Sequence, residues 1–203
     1  MIAGSTSTLL LLLVCFHVHY TNAWSILSTN DPMNRREATK AALLGIAAIH
    51  TAAVPAHAID ANKKKQWNLS DEALGQIVTK DIVDHQFLTN GRLTRSIYDE
   101  SATFTDEIDT YQLDQWMEGT AKLFVADKSH VQLVPDSLQV SKDQVTFRFD
   151  EYLTFNIPVL QPKVDLTGRV ILERDPTTGL ILSYREEWDQ SVSKVLASAQ
   201  LFQ

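Results

Sequence analysis

Beyond Asp127 the spacing of apolar residues changes from about 3.6 to about 2, and the new period holds for some sixty residues. Side chains alternate faces along a strand, so this half of the chain reads as a set of strands with one apolar side. Val131 and Leu133, then Leu138 and Val140, predict one or two short strands around Pro135-Asp136. Val145, Phe147, Phe149, Leu153, Phe155 and Ile157 share one parity in a long strand, and Val164, Leu166, Val170 and Leu172 share it in another. Asp175-Pro176-Thr177-Thr178-Gly179 predicts a tight turn, with Pro setting the first turn residue and Gly supplying positive φ. Leu180, Leu182, Tyr184 and Trp188 form the strand that returns, and Ser191 to Ala199 a terminal helix.

Upstream of Asp127 the helical period dominates. Lys63-Lys64-Lys65 reads as a solvated entry segment, and Ser70 as an N-cap with Asp71 and Glu72 in the first turn. Leu74, Ile77, Val78, Ile82, His85 and Leu88 make the apolar stripe of a first helix, which Asn90-Gly91 stops. Leu93 to Tyr98 predicts a second short helix, and Ser101 to Asp106 alternates like a strand. Asp109 is then the expected cap of another helix, with Gln112 three residues on as in a capping box. Its stripe is Leu113, Trp116, Met117, Thr120, Leu123 and Phe124. An antiparallel sheet with one apolar face needs a cover, and these helices supply it, which makes the class α+β.

That order of elements, with Asn90-Gly91, the Ser101–Asp106 strand and the Asp109–Phe124 helix, resembles the NTF2-like superfamily, also called SnoaL-like or ketosteroid-isomerase-like. The resemblance covers about Ser70 to Trp188. It implies a cone: a curved antiparallel sheet with helices packed on its concave face. The last hairpin, from Gly168-Arg169-Val170 to Arg185-Glu186-Glu187-Trp188-Asp189, resembles a plant and algal branch of plastid-directed proteins.

The leader reads as an address in layers. Leu9 to Phe16 is an apolar run of signal-peptide length ending before Ala23-Trp24, a junction similar to that of plastid-targeted precursors in diatoms and related algae. Arg35-Arg36, the run from Ala41 to Val54 and Ala56-His57-Ala58 resemble a twin-arginine lumenal signal. The expected division is therefore a signal peptide over 1–23, a transit peptide plus twin-arginine signal over 24–58, and the domain over 59–203. The expected compartment is the thylakoid lumen of a secondary plastid. Cys15 is the sole cysteine and falls in the leader, so disulfide and thiol chemistry are not expected of the domain. Past Ala58 there are 15 basic against 23 acidic residues, a balance unsuited to nucleic acid or anionic lipid.

The resemblance implies a general-base role for Asp106, at the end of the first strand, with His85 or Tyr98 as helper. It also implies an oxyanion-stabilising tyrosine on the first helix, where this chain has Asp84 or His85, a departure that counts against isomerase chemistry. His85 lies on the apolar stripe and can serve as acid–base group or as a core residue. Glu151 shares parity with its apolar neighbours, so it requires a ligand, a basic partner such as Arg148 or Arg185, or a bulge that turns it outward. Glu186 repeats this pattern between Tyr184 and Trp188. Tyr98, Tyr111, Trp116, Tyr152, Tyr184 and Trp188, with Phe149, are candidates to line a pocket or to fill the core. No glycine-rich phosphate loop or metal-ligand cluster stands out, His130 reads as a surface residue, and neither a cofactor nor a metal is expected. The favoured expectation is a non-catalytic protein binding a small hydrophobic ligand or a thylakoid protein. A cofactor-free isomerase, dehydratase or cyclase is the alternative, and a homodimer paired through its sheets the third reading.

Overall fold

The computed structural model describes residues 64–200, so the leader elements expected over 1–58 lie outside the described residues. The first helix, α1, spans Asp71–Val83. The Ser70 hydroxyl accepts from the Ala73 N–H at 3.2 Å, as the cap reading requires. Ser70→Ala is expected to cost about 1 kcal/mol in urea-induced unfolding, with an unchanged m-value. Lys65 departs from the solvated segment expected of it. Its ammonium reaches the carbonyls of Arg95 and Tyr98 and pairs with Glu100.

The first helix stops earlier than its stripe suggests. Gln86 adopts left-handed backbone angles, and a short second helix, α2, follows over Phe87–Asn90. Gln86 compensates for that strain with its side chain. Its Nε2 donates to the carbonyls of Ile82, Val83 and Val131, and its Oε1 accepts from the Val131 N–H. One amide thus caps α1 and pins the strand that contains Val131. Gly91 ends α2 with φ 72°, where a Cβ would lie 2.2 Å from the Met117 carbonyl oxygen. Of the short helix expected over Leu93–Tyr98, only a 3-10 turn at Arg95–Ile97 forms, because Tyr98 already belongs to strand β1, Tyr98–Thr105. Asp109 does not cap a helix. Thr110–Gln112 forms a strand, β2, paired with β1, and Gln112 caps helix α3, Leu113–Leu123, in a reciprocal box with Gln115.

The remaining strands are β3 (His130–Leu133), β4 (Gln139–Val140), β5 (Gln144–Thr154), β6 (Lys163–Arg174) and β7 (Ile181–Trp188), followed by helix α4, Val192–Ala197. They form one sheet in the order β2-β1-β7-β6-β5-β3, with β4 also on β5. Every pairing is antiparallel except β1 with β7, which is parallel. Helix α1 packs against β3 and β4, and α3 against β1 and β2. The architecture is the expected α+β arrangement, a mostly antiparallel sheet with helices packed on it.

Two details of the sheet set where the acidic and aromatic candidates lie. First, β5 and β6 pair without a register break from Gln144↔Glu173 to Thr154↔Lys163, so no bulge turns Glu151 outward. The irregularity lies in β7 instead, where Leu182 is the extra residue between Arg174↔Ile181 and Glu173↔Ser183. Consequently Ile181 and Tyr184 point inward and Leu182 is 38% exposed, against the parity expected of it. Second, Gly168 stands opposite Phe149, and a Cβ there would fall 2.4 Å from the Glu187 carbonyl oxygen and 2.9 Å from Phe149 Cζ. Phe149 fills the space that the missing side chain leaves.

Candidate functional site

Three of the aromatic candidates, Tyr98, Trp116 and Tyr184, meet at one place. Phe104, delivered by β1, stacks on Trp116 of α3 at 4.6 Å and on Tyr184 of β7 at 4.9 Å, and lies 5.6 Å from Tyr98. Phe87 of α2 closes the group against Trp116 and Tyr184 at 5.9 and 6.4 Å. Tyr98, Tyr111, Trp116, Phe149 and Tyr184 are all buried. Tyr152 is not among them. It points away from the helices and is 54% exposed, because its parity is opposite to that of Phe149 and Glu151.

Beside this cluster lie two carboxyl groups. Glu151 is 4% exposed, set into β5 opposite Leu166 of β6 and Val131 of β3. Among the described residues no hydrogen bond reaches its carboxyl. Neither arginine named as a possible partner serves it: Arg148 pairs with Asp189 at 2.6 Å, and Arg185 with Glu187 at 3.1 Å, both at the exposed side of the sheet. Burial, reinforced by the Glu186 charge, pushes the Glu151 carboxyl well above the usual carboxylate range. Glu186 is part-buried and better served. It accepts from the Tyr184 hydroxyl, and from Trp188 Nε1 at 2.6 Å. Burial still raises it from 4.5 to about 7, with Asp106 and Glu107 adding repulsion against the two hydrogen bonds. Tyr184 is pushed up in turn by burial and by Glu186. The two glutamates titrate as an interacting pair.

Asp106 stands at the end of β1, where the resemblance put it, but its carboxyl is already engaged. Its Oδ1 accepts from the N–H groups of Ile108 and Asp109 at 2.8 and 2.9 Å, closing the turn into β2. Burial raises its pKa, and those two hydrogen bonds oppose the shift. His85 lies elsewhere. Its Nδ1 is 2.9 Å from Asp81 Oδ1, and its side chain is 39% exposed. Asp81, buried, also accepts from the N–H and hydroxyl of Thr94 at 2.7 and 2.6 Å. This tie holds α1 to the segment before β1, and burial raises the Asp81 pKa against its hydrogen bonds. Asp81 escaped the sequence reading, although a signal was present: it stands seven residues after Leu74 and so on the apolar stripe.

The arrangement provides a proton-holding carboxyl pair with a tyrosine hydroxyl and an indole N–H at hand. Among the described residues no group of three or more His, Cys, Asp or Glu is placed to hold a metal ion, and no helix is long and apolar enough to cross a membrane. A cavity of about 170 Å³ lies between β6 and α4, lined by Lys163, Asp165, Gln190, Lys194 and Val195 among others, and contains none of the candidate residues.

No family model matches the chain, and no curated protein does. Solved structures similar to it include a hypothetical protein with the ketosteroid-isomerase-like fold from Catenulispora acidiphila (18% identity, 61% of this chain and 92% of that one, TM-score 0.46). Two NTF2-like proteins are similar as well. One is from Burkholderia thailandensis (15% identity, 61% and 93%, TM-score 0.44), the other from Anabaena variabilis (17% identity, 62% and 96%, TM-score 0.42). The likeness is one of chain path.

Proposed function

We propose that this domain is a non-catalytic NTF2-like binding protein of the thylakoid lumen, which holds a small and largely apolar ligand by one polar group at the Glu151–Glu186 centre. The observation that carries the reading is Glu151: buried, in unbroken register, and without a hydrogen-bonding partner among the described residues. A position that served packing alone would hold a leucine, since a buried carboxyl without partners costs several kcal/mol, roughly 2–7 for a neutral polar group. The lumenal address rests on the leader and on the last hairpin, whose sequence resembles the plastid-directed branch.

Two features weigh against the alternative built on Asp106 and His85. One oxygen of the Asp106 carboxyl is taken by the turn it closes, and His85 is held by Asp81 beside the helices. An acid–base enzyme remains as a second reading in one form only, with Glu186 as the base, because a carboxyl near pH 7 suits proton transfer. The sheet-paired homodimer gains no support from the exposed side of the sheet, where Arg148, Arg169 and Arg185 pair with Asp189 and Glu187.

Native mass spectrometry of the processed protein isolated from thylakoids tests the proposal. The expected spectrum shows a retained small molecule that is absent from the Glu151→Leu variant. A bare protein, with a Glu151→Leu variant that is merely more stable, would remove the binding reading. Turnover of the released molecule that disappears in Glu186→Gln would favour the enzyme.

A further inference from the structure

The cavity between β6 and α4 lies across the sheet from Glu151. Lys163 and Asp165 of β6 alternate with the buried Val164 and Leu166, so they face outward, and α4 packs against β6 on that side. Gln200 is fixed opposite Lys163 by two backbone hydrogen bonds of 3.1 and 2.9 Å. Lys194 and Ser198, four residues apart, share one side of α4 and its C-terminal cap, and Gln190 comes from the segment that joins β7 to α4. All of them line one volume of about 170 Å³. A cavity of about 150 Å³ admits a molecule the size of benzene, so there is room here for a small organic molecule.

The charges of this cavity are uncommitted. Arg148, Arg169 and Arg185, elsewhere on the same side of the sheet, each pair with Asp189 or Glu187. Among the described residues the Lys163 and Lys194 ammonium groups and the Asp165 carboxylate have no ion pair or side-chain hydrogen bond, with one another or with anything else. The Ser198 hydroxyl donates to the Val195 carbonyl at 2.7 Å, so it offers a ligand its oxygen as an acceptor. Gln190 Oε1 is enclosed and has no hydrogen-bonding partner among the described residues, and its amide gains one by turning towards a donor in the cavity. Two cationic donors thus share a small volume with acceptors that lack a donor.

We propose that this cavity binds a small carboxylate with a hydroxyl group beside it. The carboxylate pairs with Lys163 and Lys194, and the hydroxyl donates to Asp165 or Gln190. The site carries a net single positive charge, which a monoanion neutralises, whereas Asp165 opposes the second charge of a phosphate. A carboxylate without the hydroxyl leaves Asp165 and Gln190 with no donor, and so is bound less well. No covalent step is involved.

Titration of the isotope-labelled purified protein at about pH 7 tests this, with lactate, propionate and 1,2-propanediol as probes and the backbone N–H signals of Lys163, Gln190 and Ser198 as readout. Lactate is expected to shift these signals saturably, binding at least about tenfold more tightly than propanediol and about threefold more tightly than propionate. Lys163→Gln and Lys194→Gln are each expected to weaken lactate about fivefold or more, with the rest of the spectrum unchanged as evidence of folding. Asp165→Asn is expected to reduce the advantage of lactate over propionate, and Glu151→Leu to leave all three titrations as they are, because Glu151 faces the other side of the sheet. The proposal is overturned if lactate produces no saturable shift, if propionate or inorganic phosphate binds as tightly as lactate, or if neither lysine substitution weakens lactate.

Discussion

Replacing Phe104 by alanine is expected to destabilise the domain by about 3–5 kcal/mol, the range for deleting a large aromatic side chain from a packed core. The ring is fully enclosed and lies between Trp116 and Tyr184 with Tyr98 at its edge, so no single neighbour can collapse into the space it leaves. Those neighbours come from three separate elements, β1, α3 and β7, whose backbones are fixed by the sheet and by the cap at Gln112. Urea-induced unfolding measures the loss, and Tyr152→Ala provides the control. That side chain is 54% exposed, and its removal is expected to change stability by no more than about 0.5 kcal/mol. The comparison decides what the aromatic residues do. A loss below about 1 kcal/mol for Phe104→Ala would show a loose centre whose rings line a space. The expected large loss would show rings that hold one another.

The strands were legible because their signal is local. Val145, Phe147, Phe149, Leu153 and the set from Val164 to Leu172 point inward as their parity requires, and the turn at Asp175–Gly179 closes with Gly179 at φ 71°. Misreadings occurred where a distant partner overrides a local preference. The helix over 70–90 continues on paper because nothing in its stripe announces that Gln86 will reach across to Val131. Asp109 is a good cap by composition, but β1 recruits Thr110–Gln112 as a strand and moves the helix start to Leu113. The parity of Leu182 fails because it is itself the inserted residue in β7, and an insertion of that kind leaves no mark in the pattern. The site obeys the same rule. Glu151 and Glu186 were visible as acids on apolar parity, whereas their mutual influence, and the engagement of Asp106 with Ile108 and Asp109, depend on the fold.

The carboxyl pair makes an unusual demand on stability, which is expected to fall as the solution becomes more alkaline. A group whose folded pKa lies above its unfolded value binds a proton more tightly when folded, so stability is lost as pH rises between the two values. For Glu186 that window runs from 4.5 to about 7, and Glu151, pushed up by burial and by Glu186, acts in the same direction. Each proton contributes a slope of at most about 1.4 kcal/mol per pH unit. On the acid side the sign reverses. Arg95 holds Glu100 down to about 2, and Thr167 with Arg148 lowers Asp189, so the stability these groups confer disappears as pH falls below the ordinary carboxylate range. The two limbs place the maximum near about pH 5. Glu151→Gln removes the charge that the interior resists, and is expected to stabilise the domain at pH 8 while changing little at pH 5. Urea unfolding at a series of pH values reads both limbs. A wild-type stability that is flat or rising from pH 5 to 8 would mean that Glu151 and Glu186 reach solvent when ionised.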